Sequence, residues 1–238
     1  PEGLCVAAGR VFVANSGFNF SNFSYDPGTI SVIDPATNSV IATLPVGLNP
    51  QSVATAPNGE VHALCSGDYF SAFGRAFVLD AAAPAVVDSV ELGASPGVLA
   101  IDPAGQAYAS DYFAGLLKYD TASRAVLRDA ANAIPVGVGA AGIDFGAGLT
   151  WVCVYGDDQL VALDAADSIT NTFSVGDGPQ DVAFYTPEPP VAVTLAAFTG
   201  RAEVMIGPVD TDAFAPDPAV ARDPRMVLCV GRILPHKG

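Results

Sequence analysis

An all-β fold, a β-propeller assembled from four-stranded antiparallel blades, is what this sequence predicts, and three observations predict it. First, a short segment recurs: PEGLCV from Pro1, PQSVAT from Pro50, PGVLAI from Pro96, AAGIDF from Ala140 and PQDVAF from Pro179, at spacings of 49, 46, 44 and 39 residues. Second, the intervals hold four short runs rich in Val, Ile, Phe and Tyr, bounded by Gly, Pro, Asn or Asp, which is the composition of strands and their turns. Third, helix-period stretches are almost absent. Four short strands repeating at about 40 to 45 residues make a propeller blade. Parallel β-helix coils repeat over shorter lengths, and sandwiches do not repeat their sequence.

Within each unit the order is constant. An opening strand is followed by a turn such as PNGE or PAGQ, then by a second strand: GRVFVANSG, EVHALCSG, QAYASDY or LTWVCVYG. A loop leads to the third strand, TISVID, RAFVLD, GLLKYD or QLVALD, and a fourth follows, including SVIATLPVG, VVDSVELG and ITNTFSVG. The blades predicted in this way span 1–49, 50–95, 96–139 and 140–178, and 179–186 starts a fifth. Asp34, Asp80, Asp120 and Asp164, which end the third strands, are expected to accept backbone N–H bonds in the hairpin turns that follow, on the face opposite the binding surface. Blades cannot bury their flat faces alone, so the sequence predicts an incomplete array, four blades plus part of a fifth. The alternative is a small closed ring using VAVTLAAF and RAEVMIG as late strands.

GRVFVANSG, TISVIDPATNSVIATLPVG and NPQSVATAPNGEV resemble the YVTN-type propeller repeats of secreted and surface proteins, over roughly residues 1–186. The resemblance implies a propeller with commonly seven blades, an extracytoplasmic location (periplasm, cell surface or outside the cell) and a binding rather than catalytic role. No signal peptide is visible, in a chain that begins at Pro1. Half of the 238 residues are apolar, enough for a real core, and no apolar run approaches the roughly 20 residues of a membrane span. The net charge is −15, and residues 1–200 hold 20 acidic and 5 basic side chains. Such a field repels phosphate backbones and anionic lipid, so nucleic acid is not an expected partner. The four cysteines lie tens of residues apart without CxxC spacing, and read as buried thiols rather than zinc ligands.

The loops between second and third strands share one repeat phase and hence one face of the propeller. They read NSGFNFSNFSYDPG, SGDYFSAFG, SDYFAG and YGDD, and they concentrate Phe18, Phe20, Phe23, Tyr25, Tyr69, Phe70, Tyr112, Phe113 and Tyr155 beside Asp68, Asp111, Asp157 and Asp158. Rings that stack on apolar faces, next to carboxylates that accept hydrogen bonds, suit a protein, peptide or carbohydrate ligand, or a cation. The competing reading is that the rings pack beneath their own loops. No cofactor and no metal is expected: Asp157-Asp158 lacks the alternating spacing of a calcium cage. The Glu, Asn and Asp set of metal-dependent lactone-cleaving propellers cannot be picked out. His62 and His236 form no Ser-His-Asp arrangement, and no G-x-S-x-G elbow is present.

After PQDVAFYTPEPP the repeat stops, and 187–205 reads as a Pro-rich linker with room for extra strands. The remainder, 206–238, resembles the start of the C-terminal domain of retaining nucleotide-sugar glycosyltransferases of the two-Rossmann-domain type. Val209, Asp210, Thr211, Phe214 and Pro216 match one motif of that family, and Val230, Gly231, Arg232, Lys237 and Gly238 match another. The resemblance implies that Arg232 and Lys237 contact a donor diphosphate. A truncated fusion, a chimeric reading frame and a chance likeness in late propeller strands each account for the tail. In the last case RMVLCVGRI is an exposed apolar strand without a partner.

Overall fold

The computed structural model describes residues 1–184 throughout and the backbone of 227–230. The linker at 187–205, the strands VAVTLAAF and RAEVMIG, Arg232 and Lys237 lie outside the described residues.

Blade one contains β1 (Leu4–Ala7), β2 (Arg10–Asn15), a small hairpin of β3 (Phe18–Asn19) and β4 (Ser24–Tyr25), then β5 (Pro27–Asp34) and β6 (Ser39–Leu48). Blade two is β7 (Pro50–Thr55), β8 (Val61–Cys65), β9 (Arg75–Asp80) and β10 (Ala85–Glu91). Blade three is β11 (Val98–Ile101), β12 (Gln106–Asp111), β13 (Gly115–Asp120) and β14 (Val126–Arg128). Blade four is β15 (Ala140–Gly146), β16 (Leu149–Val154), β17 (Gln159–Leu163) and β18 (Ile169–Ser174). Each blade is a four-stranded antiparallel sheet whose strands pair in chain order, the β3–β4 hairpin standing apart from its blade. β19 (Asp181–Phe184) pairs antiparallel with β20 (Val227–Val230), so the apolar tail strand has a partner, contrary to its reading as an unpaired edge.

The reason for the stacking lies in the alternation of side chains along each strand. Phe12, Ala14, Ile30 and Val32 of blade one meet Val53, Val61, Ala63 and Leu79 of blade two in one buried cluster. The other face of blade two sends Leu64 and Ala76 against Ala107, Leu117 and Tyr119 of blade three. Tyr108 and Leu116 then meet Val152, Val161 and Leu163 of blade four, and Cys153 and Leu160 meet Val182 of the fifth sheet. Second and third strands of the inner blades are therefore buried on both faces, as β8 is along its whole length. Each fully buried Val, Leu or Ile stabilises the stack by roughly 1.5–3 kcal/mol.

Successive first strands lie side by side: β1 against β7, β7 against β11, β11 against β15, β15 against β19. The fourth strands lie at the opposite edge, and β18 is exposed along its length. The four third-strand aspartates do accept turn N–H groups, Ala36 on Asp34, Ala82 and Ala83 on Asp80, Ser123 on Asp120, and Ala166 and Ser168 on Asp164. Polar ties cross the blades near these turns. Arg124 of blade three donates from Nη2 to both carboxylate oxygens of Glu60 of blade two, and Lys118 reaches Asp167 of blade four at 2.7 Å.

Candidate functional site

The loops that connect second to third strands all emerge from one edge of the sheets. In blade one, β3 and β4 form a short hairpin with Phe18 opposite Tyr25, and Phe20 and Phe23 sit in its turn. The Phe18 ring packs edge-on against Phe20 with centroids 4.8 Å apart, and lies 6.3 Å from Phe23 and 5.1 Å from Tyr25. Tyr25 in turn lies 6.1 Å from Tyr69 of blade two. Tyr112 of blade three contacts both its neighbour Phe113 and Tyr155 of blade four, at 4.9 and 6.4 Å. A cleft of about 410 Å³, lined by Tyr69, Phe73 and Phe113 among others, bridges the middle. The rings thus form a row running across all four blades.

These rings are not packed beneath their loops. Phe70 and Phe113 are each 88% exposed, and Phe20 and Phe23 each 80%. Tyr69, Tyr112 and Tyr155 keep about half of their surface in solvent, while Phe18 and Tyr25 are partly buried.

The acidic residues have a different job from the one the sequence suggests at first sight. Asp68 accepts N–H bonds from Phe70, Ser71 and Ala72 and a hydroxyl bond from Ser71. These bonds, the Ser71 hydroxyl foremost, hold its carboxyl well below the usual carboxylate range. Asp111 is buried; one of its oxygens takes the N–H groups of Phe113 and Ala114, the other that of Ser95. In both Asp-Tyr-Phe segments the aspartate closes an Asx turn on the residue two positions on, which is the phenylalanine thrown outward. Asp157 accepts from Val138 and Asp158 from Gly178, so in blade four the carboxylates clamp the connections to neighbouring blades.

The backbone is strained at two of the displayed rings. Tyr69 has φ of 66° and Phe23 has φ of 54°, the left-handed region that bulky side chains avoid at a cost of about 1–2 kcal/mol. Tyr69 is held there by the hydroxyl bond from fully buried Asn49, whose Nδ2 donates to Tyr69 at 3.1 Å. Gln51 donates to the Oδ1 of Asn49 and fixes the amide in turn. The Asn49–Gln51 support is invisible in the sequence because both residues precede the loop by some 20 positions. Among the described residues no group of three or more His, Cys, Asp or Glu side chains is placed to share a metal ion, and no helix is long and apolar enough to cross a membrane.

No protein-family model matches the chain, and no curated protein does. Solved structures do share its fold. Hydrazine synthase of Kuenenia stuttgartiensis matches with a TM-score of 0.62 at 14% identity, over 77% of this chain and 52% of that one. The β-propeller domain of Cps50 (Swd1) from Myceliophteria thermophila matches with a TM-score of 0.60 at 13% identity, over 76% of this chain and 58% of the other. The chain therefore spans little more than half the length of these two structures, and at such identities the likeness shows a β-propeller fold.

Proposed function

We propose that this β-propeller is a non-catalytic, extracytoplasmic binding protein of the YVTN type, whose aromatic loop face takes a protein, peptide or carbohydrate ligand. The observation that carries the reading is the row of outward-facing rings presented by loops whose aspartates are hydrogen-bonded to the backbone. Rings serving only stability would be buried, whereas Phe20, Phe23, Phe70 and Phe113 are each at least 80% exposed. Large exposed apolar groups clustered on one face mark interaction surfaces, and aromatic anchors dominate the energetics of such surfaces. The structural aspartates place those anchors, so the face is stiff before a ligand arrives, which lowers the entropy lost on binding. The repeat resemblance supports the extracytoplasmic location. The antiparallel pairing of Val227–Val230 with β19 supports a propeller strand in the tail rather than the opening strand of a transferase domain.

The test is retention of ligands from a displayed panel of peptides and glycans by the wild-type chain and by a variant with Tyr69, Phe70, Tyr112 and Phe113 replaced by Ala. Loss of one anchor ring commonly costs about 2 kcal/mol, so the variant should lose at least ~30-fold in apparent affinity. Its unfolding midpoint should fall only modestly, since Phe70 and Phe113 are exposed, the loss coming from half-buried Tyr112 and from Tyr69, which accepts the Asn49 bond. Retention of the same ligands with unchanged affinity by the folded variant would remove the aromatic face from the function.

A further inference from the structure

The repeat is broken twice at the interface of blades three and four, and the two breaks meet in one cleft. Two residues before the aspartate that ends the third strand, blades one, two and four carry Val32, Val78 and Ala162, each fully buried, whereas blade three carries Lys118. Two residues after the glycine of the turn between first and second strands, blades one to three carry Val11, Val61 and Ala107, whereas blade four carries Thr150. These two positions meet between neighbouring blades, as Val32 of blade one and Val61 of blade two do in their shared core cluster. Lys118 and Thr150 are each only 7% exposed. Polar groups at positions built for apolar packing cost stability, and such departures from the local pattern concentrate at functional sites.

Both residues line a cleft of about 450 Å³, a size that suits a small ligand, on the face opposite the aromatic loops, where the turns after first and third strands lie. Tyr108 and Phe145 form an aromatic wall, their rings 5.6 Å apart and tilted at 51°. Asp102 and Asp164 belong to the same lining. Each spends one oxygen on its own turn: Asp102 Oδ1 takes the N–H groups of Ala104 and Gln106, and Asp164 Oδ1 those of Ala166 and Ser168. The second oxygen of each is left to accept from a ligand. Lys118 Nζ gives one of its three hydrogens to Asp167 at 2.7 Å and stands 4.7 Å from the centre of the Tyr108 ring. The Thr150 hydroxyl has no partner among the described residues.

The charges choose among ligands. Asp167 balances Lys118, so an anion would meet two further carboxylates, and an ammonium group would find the Tyr108 ring already occupied by Lys118. A neutral polyhydroxylated ring meets what it needs: an aromatic side chain for its apolar face, carboxylate oxygens to accept from its hydroxyls, and an ammonium and a hydroxyl to donate to them. We propose that this interblade cleft binds a neutral sugar, with Phe145 against the sugar ring, Asp102 and Asp164 accepting from its hydroxyls, and Lys118 and Thr150 donating to them. The site is separate from the aromatic loop face and does not depend on what that face binds.

The test titrates the chain with glucose, galactose, mannose and N-acetylglucosamine, following its resonances by NMR. At least one sugar should shift the resonances of Phe145 and Thr150 with a Kd below about 10 mM. The 6-phosphate of the sugar that binds best should bind at least ~5-fold more weakly, repelled by the two carboxylates. Thr150→Val, which restores the residue type of the other blades, should weaken the sugar by roughly 3- to 10-fold without lowering the unfolding midpoint. Asp102→Asn, which keeps an acceptor for the turn and loses the second carboxylate oxygen, should weaken it by at least ~5-fold. Binding of none of the four sugars, shifts confined to the loop face, or either folded variant binding as tightly as the wild type would each overturn the proposal. The loop-face reading is decided separately, by the variant lacking Tyr69, Phe70, Tyr112 and Phe113.

Discussion

Acidification should weaken this propeller through a single buried histidine. His62 is fully buried and occupies the position at which blade one places Phe12, blade three Tyr108 and blade four Trp151, facing the next blade. Its Nδ1 shares a 2.9 Å hydrogen bond with the Tyr119 hydroxyl of blade three, and its Nε2 stands 3.9 Å from Glu60. Burial, followed by the nearby Arg124 charge, lowers its pKa from 6.5 to about 4, with the Glu60 carboxylate opposing. The unfolded chain takes up the proton near pH 6.5 and the folded chain only near pH 4. Between those values the unfolded state holds more protons, so stability falls as pH falls through the window. At about 1.4 kcal/mol per pH unit, the gap is worth roughly 3 kcal/mol, of which about 2 is lost by pH 5. Urea unfolding followed by circular dichroism between pH 7.5 and 4.5, on the wild type and on His62→Phe, measures it. The variant loses the Tyr119 bond and starts less stable, but it should lack this component of the pH slope. Parallel curves, within about 0.5 kcal/mol from pH 7.5 to 4.5, would refute the argument.

Three further outcomes are expected. Gly67→Ala should cost about 2 kcal/mol or more and disturb the loop presenting Tyr69 and Phe70, because φ is +83° there and an added Cβ would collide with the Ala72 carbonyl; chemical denaturation together with the Tyr69 and Phe70 resonances checks both effects. Val61→Ala should destabilise by about 2 kcal/mol, whereas Val11→Ala, the same repeat position one blade earlier, should cost under about 1, since Val61 is fully buried between blades and Val11 is only half-buried; paired unfolding curves decide. The Cys65 thiol, pushed up to about 12 by burial, should resist iodoacetamide at pH 8 in the folded chain and react on unfolding, as read by mass spectrometry.

The repeat made much of the architecture legible in one dimension. Strands such as RAFVLD and QLVALD recur with their flanking turns, and a blade is a local object whose strands pair with their chain neighbours, so period and alternation suffice to describe it. The turn roles of Asp34, Asp80, Asp120 and Asp164 were legible for the same reason, because an Asx turn needs only residues two or three apart. Which carboxylates were committed to backbone was not. Asp111 takes the N–H of Ser95 and Asp158 that of Gly178, across intervals the sequence does not mark. Nor does any pattern reveal that Asn49 and Gln51 steady Tyr69, that Glu2 shares a cleft with Phe18 and Phe20, or that β20 lies beside β19. The sequence by itself determined the period, the strands and the side of the propeller on which the rings gather, because these follow from local alternation and turn chemistry. Only the tertiary structure decided which rings stand exposed and which polar groups remain free for a ligand, because exposure and hydrogen-bond commitment depend on neighbours brought together from separate blades.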